Sequence, residues 1–218
     1  MTRTTMLAAL CVALVACQPS TPDAEVASDS NMVNEAPAAL PDPVAAETAN
    51  TGSESAGGED GFSRTLELQG IRFDVQARDG TLTVTPSGLE ATNEPMVSQI
   101  AGAVRDAEVA DIDGNGSPEV YVFIEPMDAG GSAGLVAYAS NNRKSLSAIY
   151  LPPLESDPAL SEGYAGGSEL AVVENRVALR YPIVGPQGEA TGKTRQVSYR
   201  LAPGEAGWVL EKADVNEF

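Results

Sequence analysis

The richest group of potential ligands lies in the nine residues from 111 to 119, which read Asp-Ile-Asp-Gly-Asn-Gly-Ser-Pro-Glu. Oxygen-bearing residues occupy every second position: Asp111, Asp113, Asn115, Ser117 and Glu119. Calcium-binding loops supply ligands at positions 1, 3, 5, 7 and 9 in this way, and a glutamate at position 12 completes a helix–loop–helix site. Position 12 is Val122 here, so a calcium site would belong to a loop between strands. The alternative is a charged turn in which Asp111 and Asp113 accept backbone N–H groups.

Two further loops consist mainly of small residues. The first contains Gly130, Gly131, Ser132, Ala133 and Gly134 and lies between two apolar segments. The second reads Gly-Tyr-Ala-Gly-Gly-Ser at 163–168 and includes Tyr164 and Gly166. A loop of this composition is either a thin finger that can enter a narrow cleft or a flexible connection. Neither has the strand-to-helix context of a phosphate-binding loop.

The usual catalytic side chains are scarce. The sequence has no histidine and two cysteines, Cys11 and Cys17, so Ser/His and Cys/His nucleophilic arrangements are excluded. A hydrolase that uses carboxylates alone stays open, but the sequence places no such pair. We therefore expect a binding protein rather than an enzyme.

The N-terminus has the pattern of an export signal. Arg3 precedes an apolar run from Met6 to Ala16, which ends in Leu-Val-Ala before Cys17. This ending resembles the lipobox of bacterial lipoproteins, which implies that residues 1–16 are removed and that Cys17 carries the lipid. Eleven apolar residues are too few for a membrane-spanning helix, which needs roughly twenty. An ordinary secretory signal or a short anchor are the alternatives. Gln18 follows the cysteine where an inner-membrane lipoprotein would have aspartate, which favours the outer membrane. We expect the domain on the periplasmic side of that membrane rather than on the cell surface.

Charge and composition divide the mature chain in two. Residues 17–61 contain nine acids, no Lys or Arg and no aromatic residue, so we expect a disordered, extended tether. Residues 62–218 contain twenty-two acids and twelve bases, a net charge of −10. Such a surface disfavours nucleic acid and favours cationic protein partners, although it also suits solubility alone. The sequence leaves the oligomeric state open, a dimer included.

The elements that must position these residues are predicted to be strands. Alternation of apolar and polar residues dominates from 62 to 218, and Asp79-Gly80 between alternating segments indicates a hairpin. Further hairpins are expected from 170 to 181 and from 196 to 211. Only residues 94–104 show helical spacing. The prediction is therefore an all-β antiparallel sandwich of several hairpins, with at most one short helix.

From residue 108 onward the chain resembles the periplasmic inhibitors of invertebrate-type lysozyme. The longest matching run, at 108–122, reads Glu-Val-Ala-Asp-Ile-Asp-Gly-Asn-Gly-Ser-Pro-Glu-Val-Tyr-Val. Further matching segments follow in the expected order, at residues 135–138, 141–142, 144–147, 152–153, 163–164, 169–174, 180–182 and 194–199.

The resemblance implies a β-sandwich that inhibits a cationic lysozyme by inserting a loop with a Ser-Gly-x-x-Tyr type motif into the enzyme's cleft. The corresponding loop here is 130–134, which keeps the glycines and Ser132 but contains no tyrosine. Tyr164 in the second loop is the aromatic residue that could compensate if the fold brings it near. The alternative function is a calcium-stabilised module of the cell envelope that binds another protein or a glycan.

Overall fold

The computed structural model describes residues 61–128, 130–205 and 207–218, together with the backbone of strand 54–58. Within these ranges the chain forms thirteen strands: β1 (Glu54–Gly58), β2 (Gly61–Leu68), β3 (Ile71–Arg78), β4 (Thr81–Ser87), β5 (Met96–Gln99), β6 (Ala103–Ala110), β7 (Glu119–Glu125), β8 (Gly134–Ser140), β9 (Leu146–Tyr150), β10 (Glu169–Val173), β11 (Arg176–Val184), β12 (Ala190–Gly204) and β13 (Gly207–Glu217). They are accompanied by one α-helix, α1 (Pro158–Ser161), and two 3-10 turns, Asn141–Arg143 and Leu154–Ser156. No helix in the described ranges is long and apolar enough to cross a membrane.

The smaller sheet contains β1 to β5 in sequence order, and all its neighbouring strands are antiparallel. The hairpin predicted from Asp79-Gly80 is present between β3 and β4. Asp79 and Gly80 have φ angles of 51° and 73°, as a two-residue turn that matches the twist of the strands requires.

The larger sheet has the order β10-β11-β12-β13-β9-β8-β7-β6. Its pairs are antiparallel except for β13 and β9, which run parallel. Side chains connect its two edge strands, because Arg105 of β6 donates a hydrogen bond to the carbonyl oxygen of Leu170 in β10, and Glu108 accepts one from the backbone N–H of Val172. The sheet is therefore curved into a nearly closed barrel.

Strand β7 lies between the two hydrophobic cores of the molecule. Val120, Val122 and Ile124 pack with the smaller sheet, whereas Tyr121 and Phe123 point into the barrel. All five side chains are buried. This explains why β7 is a continuous apolar run rather than an alternating one.

The predicted all-β class built from hairpins is confirmed, and the structure differs from the prediction in two details. The larger sheet forms a barrel-like layer rather than a flat one. The expectation of helical structure within 94–104 was wrong, because β5 and the start of β6 lie there and the single α-helix is α1. The burial pattern of β5 alternates, and Val97 is 62% exposed, so its apolar residues do not form a helical face.

Several predictions lie outside the described residues. These are the signal segment 1–16, the lipid site Cys17 and the tether up to residue 53. Strand β1 lies within the segment predicted to be tether and pairs with β2, so regular structure begins before residue 62.

Candidate functional site

The two small-residue loops, 130–134 and 163–168, contact each other and are called here the paired loops. The backbone N–H of Gly167 donates to the carbonyl oxygen of Gly131 at 3.0 Å. The backbone N–H of Ala133 donates to Ser168 Oγ at 2.9 Å. Loops separated by about thirty residues in sequence are thus joined into one surface feature.

Tyr164 connects the second loop to the serine of the first. Its hydroxyl donates to Ser132 Oγ at 2.5 Å and lies 3.1 Å from Ser168 Oγ. Its ring packs edge-on against buried Tyr181, with centroids 4.9 Å apart. A single β-bridge to Ile183 fixes its backbone. A tyrosine of the second loop therefore lies beside the serine of the first loop.

The approach of the paired loops requires glycine at position 166. Gly166 has a φ of +90°, and a Cβ at this position would lie 1.7 Å from the carbonyl oxygen of Gly130. Any side chain would force the loops apart, because a contact this short is far inside van der Waals distance. Gly166 was expected only as part of a small-residue loop, and the structure gives it this specific role.

A buried network supports the second loop from below. Tyr181 donates its hydroxyl to the carbonyl oxygen of Leu160 at 2.6 Å. Arg195 donates to the carbonyl oxygens of residues 159, 160 and 162, at and just after the end of α1, and pairs with Glu217 at 2.7 Å. These contacts satisfy backbone acceptors at a helix end and fix the point from which the loop departs. The sequence analysis missed both Tyr181 and Arg195, since nothing in their local pattern marks them.

The segments that flank the paired loops are acidic. Gly130 and Ser132 are exposed, whereas Ala133 is half-buried and packs against the barrel core. Four exposed carboxylates lie within 125–134 and 162–169: Glu125, Asp128, Glu162 and Glu169. Neither segment contains a lysine or an arginine, so the local charge is negative.

A groove of about 350 Å³ adjoins the paired loops. Ser132, Tyr164 and Ser168 line one side, and Tyr150 and the 151–155 segment line the other. Tyr150 is 59% exposed. The surface beside Ser132 thus combines an exposed aromatic ring with hydroxyl groups.

The aspartate loop, residues 111–119, joins β6 to the opposite end of β7. Carboxylate oxygens of Asp111, Asp113 and Glu119 lie within 4.8 Å of one another. The bonds of a charged turn are also present. The Asp111 oxygens accept the backbone N–H groups of Asn115 at 2.9 Å and Gly116 at 2.8 Å, and Asp113 accepts that of Asn115 at 3.1 Å.

Asn115 and Ser117 complete the loop. Asn115 Oδ1 accepts the backbone N–H of Ser117 at 2.7 Å, and Asn115 Nδ2 donates to Asp113 at 2.7 Å. Ser117 is buried. All five predicted oxygen-bearing residues are thus drawn into one loop, although the hydrogen bonds alone do not require a metal.

Glu119 differs from the other acids of the loop because it is fully buried, at 0% exposure. Its Oε2 accepts the backbone N–H of Ile112 at 3.0 Å and lies 3.5 Å from the donating hydroxyl of Tyr121. Its Oε1 has no hydrogen-bond partner. Burial, followed by the nearby charges of Asp113 and Asp111, raises the pKa of Glu119 to about 8. The alternation of the sequence could have indicated that the Glu119 side chain points inward. It could not have indicated that Oε1 has no hydrogen-bond partner.

Comparison of the chain with protein-family models, with curated proteins and with solved structures found no match.

Proposed function

We propose that this protein is a non-enzymatic, lipid-anchored inhibitor of a lysozyme of the invertebrate type. The observation that carries the proposal is the hydrogen bond between Tyr164 and Ser132. It brings Tyr164 beside the serine of the Gly-rich loop, which supports the expectation that Tyr164 compensates for the tyrosine absent from that loop. In this proposal, Cys17 holds the protein on the periplasmic side of the outer membrane.

The chemistry of the paired loops suits a glycosidase cleft. Most glycosidases act through two carboxyl groups that flank the scissile bond. Ser132 can donate a hydroxyl hydrogen to such a group, and the backbone N–H groups of a thin loop can donate to the other. The loop carries no sugar, so the enzyme has no bond to cleave.

The partner expected from the charges is cationic. Four exposed acids flank the paired loops, and residues 62–218 carry a net charge of −10. Complementary charge accelerates association and loses its effect as salt rises. A lysozyme that binds anionic cell walls has the opposite charge to this surface.

The direct test is inhibition of cell-wall lysis by lysozymes of several classes, with the purified protein titrated at low and moderate salt. We expect inhibition of the invertebrate-type enzyme, weaker at higher salt. Ser132→Arg should abolish it, because the bulky side chain stands on an exposed position and blocks entry into the cleft.

A control variant distinguishes a blocked loop from a nonspecific effect of adding an arginine to the surface. Ser63→Arg introduces the same side chain on an exposed residue of β2, in the other sheet, and should leave inhibition unchanged. If no lysozyme class is inhibited at micromolar protein, the inhibitor proposal fails. The alternative, an envelope module with another protein or glycan partner, then takes its place.

A further inference from the structure

We propose that the aspartate loop binds a divalent cation, with calcium as the preferred ion. The ligands would be side-chain oxygens of Asp111, Asp113, Asn115 and Glu119 and the backbone carbonyl of Ser117. This inference is independent of the proposed inhibitory function.

The first observation is the concentration of negative charge. Three carboxylates converge within 4.8 Å. Among the residues that the structure describes, no lysine or arginine forms an ion pair with any of them. Asp111 and Asp113 repel each other when both are ionised, and a cation between them removes the repulsion.

The second observation is Glu119 itself. The side chain is fully buried, and its Oε1 has no hydrogen-bond partner. Buried polar atoms without partners are rare in folded proteins and are costly when charged. Because the same carboxylate belongs to the group formed with Asp111 and Asp113, a cation held by all three would supply the missing partner.

The hydrogen bonds of the turn are compatible with a bound ion. Each carboxylate oxygen has two lone-pair directions. Asp111 Oδ2 accepts from both Gly116 and Gln69, whereas Asp111 Oδ1 and the two oxygens of Asp113 accept one hydrogen bond each and can still face a cation. The donor set is made only of oxygen atoms, which suits hard cations. Calcium accepts six to eight such ligands in variable geometry, whereas magnesium demands a near-ideal octahedron and keeps several waters.

The experiment is calcium titration of the purified full-length protein, after chelation, by calorimetry and by thermal unfolding. We expect saturable binding of one ion by this loop. The melting temperature should rise by about 5–10 °C when free calcium is one hundred times the dissociation constant. Magnesium at the same concentration should give a much smaller shift.

Two loop variants and one matched control locate the site. Asp113→Asn and Glu119→Gln should each remove most of the calcium-induced shift. Asp79→Asn removes one negative charge from the exposed β3–β4 turn and should leave the shift intact. Glu119→Gln keeps the size of the buried side chain and is expected to fold. Asp113→Asn provides a second substitution, at an exposed residue.

The proposal is overturned by two results. One is the absence of both calorimetric binding and a thermal shift at millimolar calcium. The other is a shift that persists in both loop variants, which would place the ion elsewhere on this acidic chain.

Discussion

At the scale of single residues, the proposed cation site depends mainly on Glu119 and the proposed inhibitory loops depend mainly on Tyr164. Each is held in place by the fold, and each presents a polar group to a loop that contains further polar groups. Glu119 has an oxygen without a hydrogen-bond partner, and its carboxyl group lies within 4.8 Å of those of two aspartates. Tyr164 presents its hydroxyl to two serines.

The first residue-scale prediction concerns the pH dependence of the metal-free protein. Burial raises the pKa of Glu119 to about 8, from an ordinary value of 4.5. Between these values the folded state holds a proton that the unfolded state has lost, so the free energy of unfolding falls as pH rises. The contribution of this one group is at most about 1.4 kcal/mol per pH unit.

Denaturant unfolding from pH 5 to pH 8 in the presence of a chelator measures this effect. Glu119→Gln keeps the size of the side chain and cannot ionise, so its stability should decline less steeply than that of the wild type over this range. Parallel pH profiles for the two proteins would show that Glu119 titrates normally. Asp111, Asp113 and Tyr121 face Glu119 and are unchanged in both.

Sequence reasoning identified these residues only in part. The 111–119 spacing and the two small-residue loops were readable because turn-forming residues and oxygen ligands recur at short, regular intervals. The contact between Ser132 and Tyr164 spans thirty-two residues and depends on the course of the barrel, which no local pattern encodes. The missing partner of Glu119 is a property of its surroundings and not of its sequence.

At the scale of elements, strand β7 separates the two candidate sites. The aspartate loop precedes β7, and the 126–134 segment follows it. Seven residues of extended chain hold these loops about 20 Å apart, and β7 is buried on both faces. The separation explains why calcium binding and loop insertion can be tested independently.

The element-scale prediction is that Gly166→Ala separates the paired loops. The added methyl would lie 1.7 Å from the Gly130 carbonyl oxygen, at a φ of +90°. We expect a loss of about 2 kcal/mol in stability, or roughly 4–8 °C in melting temperature. Inhibition should be lost as well, because Ser132 would no longer be held by Tyr164.

Gly188→Ala is the matched control. Gly188 has a φ of +81°, but a Cβ there meets no atom within 4 Å, so it reproduces the backbone strain without the collision. Its cost should be about 1 kcal/mol, and inhibition should be retained. Hydrogen exchange at the amides of Ala133 and Gly167, which donate across the paired loops, should accelerate in Gly166→Ala alone. Equal effects of the two substitutions would contradict a role for the close approach.

At the scale of the whole molecule, the strands could be predicted from the sequence, but the curvature of the larger sheet into a nearly closed barrel could not. The alternation in β3 and β4 and the Asp79-Gly80 turn are local signals, and the hairpin followed from them. The parallel pairing of β13 with β9 joins segments about sixty residues apart, so it has no local signal. The spacing of apolar residues within 94–104 led to a wrong prediction of helix. Val97 would lie on the apolar face of such a helix, but it is exposed in the structure.

The whole-molecule prediction concerns attachment to the membrane. If Cys17 carries the lipid, Cys17→Ser should move the protein from the membrane fraction to the soluble fraction of the cell envelope, because serine cannot carry the thioether-linked lipid that provides the attachment. Fractionation and intact mass of the mature protein measure this. A Cys17→Ser protein that stays in the membrane fraction, processed to the same mass, would contradict the lipoprotein assignment.

The parallel pair of β9 and β13 also determines when the barrel can form. Trp208, the only tryptophan of the chain, lies opposite Ile149 in this pair and donates its indole N–H to Asn141 at 2.8 Å. In the larger sheet this pair joins β6–β9 to β10–β13, so β9 has a free edge until β13 pairs with it. Pairings between segments about sixty residues apart form slowly. Because Trp208 lies in this pair, its fluorescence should report the joining of the two halves of the larger sheet during refolding.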